Sequence, residues 1–317
     1  MDVSIVVPCY NEEESVGELL RRIRAVLASL PTRSCEIVLI DDGSQDRTWS
    51  LIEAAAATSG DVVGVALTRN HGHQLALSAG LAVAKGNRVL ALNADLQDPP
   101  ELLPGMMALV DRGADVVYGL RIARQGETAF RRLTSRWFYR VLNRLTDVSI
   151  PMDVGDFRLM NRRVVDILNG MPESQRFVRG LVSWIGLNQV PFPYERDERF
   201  AGETKYPFTA MLRLAIDALT GFSIQPLRVA SFFGPAFGLL GVVCMIYVLF
   251  SWLYGNSIRG WTSLISIVLI IGSAQLIVLG TIGEYVGRLY IESKRRPLYL
   301  IRDIVGGFER RQTLARR

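Results

Sequence analysis

Two long stretches near the C-terminus contain no charged residue, and they restrict what this chain can fold into more than any other feature. The first lies between Arg228 and Arg259, the second between Arg259 and Glu284. Each exceeds the ~20 residues a helix needs to cross a bilayer. Two buried helices of a soluble core are the alternative, and these lengths disfavour it. The 49% hydrophobic content and mean hydropathy of +0.22 are high, and the excess is not spread evenly along the chain. The expectation is a transmembrane hairpin of two helices over residues 229–288, with an amphipathic juxtamembrane helix over 207–228 before it and a tail over 289–317 after it. Arg213 and Arg228 precede the hairpin and Arg288, Lys294, Arg295 and Arg296 follow it, whereas the link from Tyr254 to Trp261 carries only Arg259. This asymmetry places the large N-terminal domain and both termini on the cytoplasmic side. Glu284 and Arg288 are spaced for a helical ion pair. Gly234, Gly238 and Gly241 have the spacing that lets helices pack closely, which suits an oligomer.

Residues 1–206 have a different grammar. Val3 to Val7 reads as a strand, Ser15 to Leu30 as a helix, Ile37 to Ile40 as a strand and Thr48 to Ala57 as a helix. The alternation continues through a strand at Val62 to Leu67, a helix at Gln74 to Ala84 and a strand at Val89 to Leu92. A helix at Leu102 to Val110 and a strand at Val116 to Tyr118 complete it. Such alternation predicts an α/β domain with a mostly parallel sheet flanked by helices and with ligands at the carboxyl ends of the strands. The N-terminus enters a strand directly, without a basic flank, so no cleavable signal is expected. The three cysteines, Cys9, Cys35 and Cys244, have no paired spacing and read as packing residues in a reducing compartment. A net charge of +5 and a pI near 9.3 suit anionic lipid headgroups and carry no nucleic-acid signature.

Polar residues collect where the strands end. The first strand leads into Pro8-Cys9-Tyr10-Asn11-Glu12, the second into Asp41-Asp42-Gly43-Ser44, and the fourth into Asn93-Ala94-Asp95-Leu96-Gln97-Asp98-Pro99-Pro100. Extended backbone after Leu92 puts Asp95 and Gln97 on one side, two hard oxygen ligands suited to Mg²⁺ or Mn²⁺ holding phosphates. The Pro-Pro pair stops the strand and turns the chain away. A polar strand-to-helix loop is the plain alternative, but three such clusters on successive strands are harder to read as turns. No Gly-x-Gly-x-x-Gly or Walker-type lysine loop follows a strand, which disfavours dinucleotide dehydrogenases and P-loop proteins. His71 and His73 are two potential metal ligands without a third, and read as a polar helix start where exposed amides favour anions.

Together Val-Pro-Cys-Tyr-Asn-Glu, Asp-Asp-Gly-Ser and Ala-Asp-Leu-Gln-Asp-Pro-Pro resemble the inverting glycosyltransferases of family 2, with the GT-A fold. With Gly155-Asp156-Phe157-Arg158-Leu159-Met160 and the hairpin added, the chain is most similar to polyisoprenyl-phosphate glycosyltransferases, among them dolichyl-phosphate mannose synthases and bactoprenol glucosyltransferases. The resemblance implies a nucleotide-sugar site lined by Pro8, Tyr10, Asn11, Glu12, Asp42, Asn93, Ala94 and Asp95, and a divalent ion on Asp95 and Gln97. It implies a polyisoprenyl phosphate acceptor, a bacterial plasma membrane location and a homotetramer. Asp156 matches the family's base position; orienting the acceptor and pairing with Arg158 are its alternatives. The family usually has Asp where this chain has Asn93, which either weakens metal binding or leaves Asn93 touching only the sugar-nucleotide.

The acceptor phosphate needs cations. Arg121 follows the strand Val116 to Tyr118 and joins Asp156 as a catalytic candidate; Arg199 and Lys205 bracket a loop, Arg-x-x-Gly-Glu-Thr-Lys, that resembles the acceptor loop of the mannose synthases. Arg131 is added on position alone. Residues 128–146 carry an apolar face with Phe130, Trp137 and Phe138 beside a row of arginines, either a helix in the headgroup plane or a surface helix packed on the core. UDP-glucose and undecaprenyl phosphate are the favoured substrates by resemblance to the bacterial branch. GDP-mannose, UDP-N-acetylglucosamine and a modified UDP-arabinose stay open as donors, as does a non-catalytic nucleotide-binding scaffold. A processive synthase would require Gln-x-x-Arg-Trp, and Gln175 to Arg179 is followed by Gly180.

Overall fold

The computed structural model describes residues 1–30, 34–122, 154–174, 176–195 and 261–307, with single helical positions between 227 and 253. Its elements run β1 (Val3–Cys9), α1 (Val16–Ser29), β2 (Cys35–Asp41), α2 (Thr48–Thr58), β3 (Val62–Leu67), α3 (His73–Val83), β4 (Arg88–Ala91), a 3₁₀ turn (Pro100–Leu102) and α4 (Leu103–Asp111). Then come β5 (Val116–Arg121), β6 (Val154–Asn161), α5 (Arg162–Gly170), α6 (Val178–Ile185), β7 (Gln189–Tyr194), α7 (Trp261–Ser293) and β8 (Ile301–Gly306). The nine elements expected from the alternation are all present, with ends moved by no more than three residues.

The described strands form one eight-stranded sheet in the order β7-β5-β6-β4-β1-β2-β3-β8. Its centre, β4-β1-β2-β3, is parallel throughout. These strands are aliphatic runs buried on both faces, as expected where helices cover a parallel sheet. The flanks make the sheet mixed: β6 runs antiparallel to β4 and β5, and β8 antiparallel to β3, while β7 is parallel to β5. All the described strands except β6 and β8 therefore point the same way, in keeping with the mostly parallel expectation.

Helix α1 buries Val16, Leu19, Leu20, Ile23 and Val26, an i, i+3, i+4 stripe, each worth about 1.5–3 kcal/mol on burial. Helix α3 lies on the other side of the sheet at unusually short range. A Cβ at Gly80 would stand 2.3 Å from Val6 Cγ1 and 2.5 Å from Ile40 Cδ1, so only glycine admits the helix this close to β1 and β2. That packing fixes where the start of α3, His73 and Gln74, emerges.

Residues 301–306 belong to the sheet, which changes the reading of 289–317 as a simple tail. Strand β3 would otherwise present an open edge; β8 covers it, Thr68 N–H donates to the Leu300 carbonyl at 3.0 Å, and the Arg302 guanidinium sits 5.6 Å from the centre of the Trp49 ring. Gly306 ends the strand at φ +80°, and a Cβ there would fall 2.1 Å from the Val62 carbonyl oxygen. Gly306→Val is therefore expected to cost at least ~1–3 kcal/mol and to speed amide hydrogen exchange in β3 and β8. Unchanged exchange in β3 would show that β8 is not needed to protect it.

The chain divides into two compact units, one of residues 1–143, 148–211 and 297–317, the other of 144–147 and 212–296. In the second unit α7 is a continuous 33-residue helix. Leu264, Val268, Leu276, Ile277 and Leu279 on it are 60–71% exposed. Glu284 and Arg288 make the expected ion pair, 2.8 Å apart. Among the described residues no helix meets both the length and the apolarity of a membrane span; α7 has the length, and of its first ten side chains only those of Leu264, Ile267 and Val268 are described. The helix expected over 128–146, the juxtamembrane segment 207–228, Cys244 and the Gly234-Gly238-Gly241 set lie outside the described residues, apart from the helical position Leu227.

Candidate active site

The carboxyl ends of β1, β2 and β4 lie side by side, because β1 pairs with both β2 and β4 in parallel register. The loops beyond them are knitted together by their own polar groups. Asn11 takes a left-handed conformation (φ 52°), its N–H donates to Ser44 Oγ at 3.0 Å, and its side-chain oxygen accepts from Gln45 N–H at 2.9 Å. Glu12 N–H donates to Thr48 Oγ1 at 2.8 Å while its carboxylate accepts from Ser15 Oγ at 2.8 Å. Tyr10, Asn11 and Glu12 are half-buried; Pro8 is buried within β1. Asp42 is 2% exposed and accepts from the N–H groups of His71 and Gly72 at 2.7 and 2.9 Å. Burial pushes its pKa up, against the pull of those two N–H donors. Asp42 therefore ties the β2 exit to the turn that starts α3.

The segment after β4 corrects one expectation. The strand ends at Ala91, and Asp95 and Gln97 lie in a turn with Leu96 left-handed at φ 57°, in which Gln97 N–H donates to Asp95 Oδ1 at 3.3 Å. Alternation of side chains along an extended strand therefore does not apply here. An aspartate side chain that bonds the backbone two residues on favours such a turn. Pro100 begins the 3₁₀ turn that leads into α4, so the proline pair starts a helical segment as well as ending the loop. Asp95 and Gln97 remain half-buried and Ala94 is 4% exposed. Among the described residues no group of three or more His, Cys, Asp or Glu could hold a metal by itself. One carboxylate and one amide oxygen still fit Mg²⁺ or Mn²⁺, which commonly take one or two protein carboxylates and complete their shell with substrate phosphates and water.

Asp98, next to this turn, is fully buried. Asn93 Nδ2 donates to its Oδ2 at 2.8 Å, the Tyr194 hydroxyl bonds its Oδ1, and Arg121 Nη2 lies 3.5 Å from the same oxygen. Arg121 Nε also donates to the Tyr194 hydroxyl at 3.3 Å. Burial and Asp98 push the Tyr194 pKa up, and although burial opposes the Arg121 charge, Asp98 more than restores it. Asn93 thus has a partner that needs a donor, which a carboxylate cannot supply when ionised. Asn93→Asp is expected to set two carboxylates within hydrogen-bonding distance. Its stability loss should be small near pH 4 and grow as pH rises, because ionisation becomes costlier in the folded state than in the unfolded one. A melting temperature that stays level with the parent from pH 4 to 8 would reject the Asn93 assignment.

Asp156 occupies β6 on the α3 side of the sheet. Ala91, the last residue of β4, pairs with Arg158, so Asp156 lies two residues further along β6, past the carboxyl end of β4. Its carboxylate is 7% exposed and receives His73 Nε2 at 3.2 Å, Gln74 Nε2 at 2.9 Å, and Arg179 Nε and Nη2 at 3.1 and 3.4 Å. Gln74 also accepts from Val178 N–H at 2.9 Å, and Arg179 Nη1 donates to the Val154 carbonyl at 3.0 Å. Burial alone would raise the Asp156 pKa; Arg179, then His73 and Arg158, more than offset it and hold the carboxyl well below the usual range. A carboxylate held this firmly in its ionised form and met by four donor contacts is a poor proton acceptor. The expected pairing with Arg158 is electrostatic: Arg158 Nη2 donates to the Gly155 carbonyl at 3.0 Å, and Asp156 bonds Arg179. Burial lowers the Arg158 pKa to about 10 despite Asp156.

The described residues thus bring Asp95, Gln97, Asn93 and Arg121 to one strand-end region with Asp156. Arg131, Arg199 and Lys205 lie outside them. Sequence reasoning missed Asp98, Tyr194, Gln74 and Arg179 as site residues. Asp98 stood within the quoted motif, and Arg179 within the segment compared with Gln-x-x-Arg-Trp; Tyr194 and Gln74 carried no signal.

An α/β sheet with a parallel centre, flanking helices and an acidic turn at its carboxyl edge is the GT-A architecture of sugar-nucleotide transferases. A model of "Glycosyl transferase family 2" matches residues 4–168. An uncharacterised glycosyltransferase of Bacillus subtilis, YkcC, is 44% identical over 304 residues, covering 96% of this chain and 94% of its own. The prophage bactoprenol glucosyl transferase homolog of Escherichia coli is 39% identical over 308 residues, 96% of this chain and 99% of its own. The bactoprenol glucosyl transferase of Shigella phage SfV is 39% identical over 309 residues, again 96% and 99%. The chain belongs to glycosyl transferase family 2 and is a glycosyltransferase, which sets aside the non-catalytic scaffold.

Proposed function

We propose that this enzyme transfers glucose from UDP-glucose to a polyisoprenyl phosphate, undecaprenyl phosphate in a bacterial plasma membrane, with inversion at the anomeric carbon. The observation that carries this reading is near full-length similarity to proteins named bactoprenol glucosyl transferase, joined to the strand-end turn of Asp95 and Gln97. The exposed apolar side chains of α7 support a membrane location, since large apolar surfaces need a covering medium. On this reading residues 229–288 form the hairpin, and the sheet domain and both termini face the cytoplasm.

An acceptor phosphate oxygen forms the new bond to the anomeric carbon, and the bond to the nucleotide diphosphate breaks with its electron pair leaving on the diphosphate. Asp95 and Gln97 would hold Mg²⁺ or Mn²⁺, which when bound supplies positive charge against the diphosphate. The second pKa of a phosphate monoester is about 6, so the nucleophile is largely ionised at neutral pH and needs no strong base. The saturated Asp156 is consistent with that economy. Arg121, held by Asp98 and Tyr194, offers a fixed cation near the reacting phosphates. The test is transfer of radiolabelled glucose from UDP-glucose into an organic-extractable, acid-labile lipid, with Mg²⁺ or Mn²⁺ and with chelator. GDP-mannose, UDP-N-acetylglucosamine and UDP-arabinose derivatives serve as competing donors. No labelled lipid from UDP-glucose, with efficient labelling from another donor, would overturn the glucose assignment.

A further inference from the structure

His73, Arg158 and Arg179 come from three different elements, α3, β6 and α6, and gather around Asp156. Asp156 and Arg158 stand two apart on β6 and so share one face of the sheet. Arg158 is 3% exposed, and its Nε has no hydrogen-bond partner among the described residues. His73 and Arg179, by contrast, keep 33% and 26% of their side-chain surface accessible while bonded to the buried carboxylate. Gln74 locks the arrangement from below, bonded at once to Asp156 and to the backbone of Val178. A buried carboxylate that holds two part-exposed basic groups, with a buried guanidinium nearby, keeps positive charge at a fixed place. The pairing of Ala91 with Arg158 puts Asp156 two residues further along β6, past the carboxyl end of β4, at the edge where the nucleotide is expected.

We propose that Arg179 and His73 form a seat for a phosphate oxyanion of the substrates, with Asp156 and Gln74 as the positioning residues that hold them. The assignment rests on the glycosyl-transfer reading for its substrates but not for its charge. Planar guanidinium groups bind phosphate through paired hydrogen bonds, which lysine cannot reproduce. The phosphate could be the acceptor monoester or the leaving diphosphate, and the two are separable by experiment.

The full-length enzyme in detergent is titrated with UDP and Mn²⁺ and, separately, with inorganic pyrophosphate, following the melting temperature; KM is then measured for polyprenyl phosphate. Arg179→Lys keeps the charge and loses the paired bonds to Asp156 that fix its place. It is expected to weaken one of these by about tenfold or more, in line with loss of a charge-assisted hydrogen bond. A rise confined to the lipid KM assigns the seat to the acceptor, and weaker UDP and pyrophosphate binding assigns it to the leaving group. His73→Gln should give a smaller change in the same parameter. The paired variant Asp156→Asn with Arg179→Gln removes the ion pair but leaves the buried Arg158 without its carboxylate, and is expected to melt below the parent while showing the same phosphate defect. Parent-like lipid KM, UDP affinity and pyrophosphate affinity in Arg179→Lys and His73→Gln would overturn the proposal, whether or not the paired variant folds. Absence of any lipid product from the parent enzyme would instead remove the acceptor reading, leaving the pyrophosphate titration to decide the seat.

Discussion

Replacing Asp156 by alanine is expected to destabilise the enzyme by about 3–5 kcal/mol, the usual cost of stripping the partner from a buried charge. The buried Arg158 would be left beside the part-exposed Arg179 with no carboxylate to neutralise them. For a chain of this size the melting temperature should fall by at least ~6 °C. The pH dependence has a defined sign. Asp156 has a folded-state pKa well below its ordinary value, so its stabilisation is present above the unfolded carboxylate pKa, near ~4, and is lost as pH falls through the lower folded value. The difference in melting temperature between parent and Asp156→Ala should therefore be full at pH 6–8 and shrink only in strong acid. Asp156→Asn separates structure from proton transfer. It should lose activity by misplacing Arg179 and His73, while the acid limb of its kcat/KM profile stays where the parent's is. Disappearance of that limb in the asparagine variant would reinstate Asp156 as a base.

Asp95→Ala is expected to lower kcat/KM by about 10²–10³-fold, the scale for losing a group that stabilises developing charge. Its effect on melting should be smaller than that of Asp156→Ala, because Asp95 is half-buried and its bond to Gln97 N–H is local and long at 3.3 Å. The contrast with Asp156 is the point: one carboxylate acts through the fold, the other through the substrates. A variant lacking the Asp95 carboxylate that still transfers sugar within tenfold of the parent rate would remove this turn from the diphosphate site. Added Mn²⁺ should restore little, since the ligand itself is gone.

The central strands were legible because full burial demands continuous aliphatic runs, as in Val3–Cys9 and Val62–Leu67. The helices were legible from their spacing, clearest in Val16–Ser29. Strand β8 was not, since Ile301–Gly306 follows the long helix α7 in a stretch that reads as a tail and finds its place only at an edge that β3 leaves open. The local shape after β4 was also misread. Leu96 enters the left-handed region, and nothing in its side chain announces that.

At the site the same division holds. The motifs Asn93 to Pro100 and Gly155 to Met160 were identifiable as chemistry-bearing by residue type and position. What each carboxylate does was decided by groups far away in sequence: Tyr194 and Arg121 on Asp98, and His73, Gln74 and Arg179 on Asp156.

By itself the sequence determined the α/β class, the order of the central elements, the family and the cluster of polar residues at the strand ends, since each follows from local pattern. Only the tertiary structure decided that Asn93 serves Asp98, that β8 covers the edge of β3 and that Asp156 is buried and bonded to His73, Gln74 and Arg179. Those roles depend on burial and on which partners reach the same carboxylate, and most of those partners come from other elements of the fold, brought there by packing.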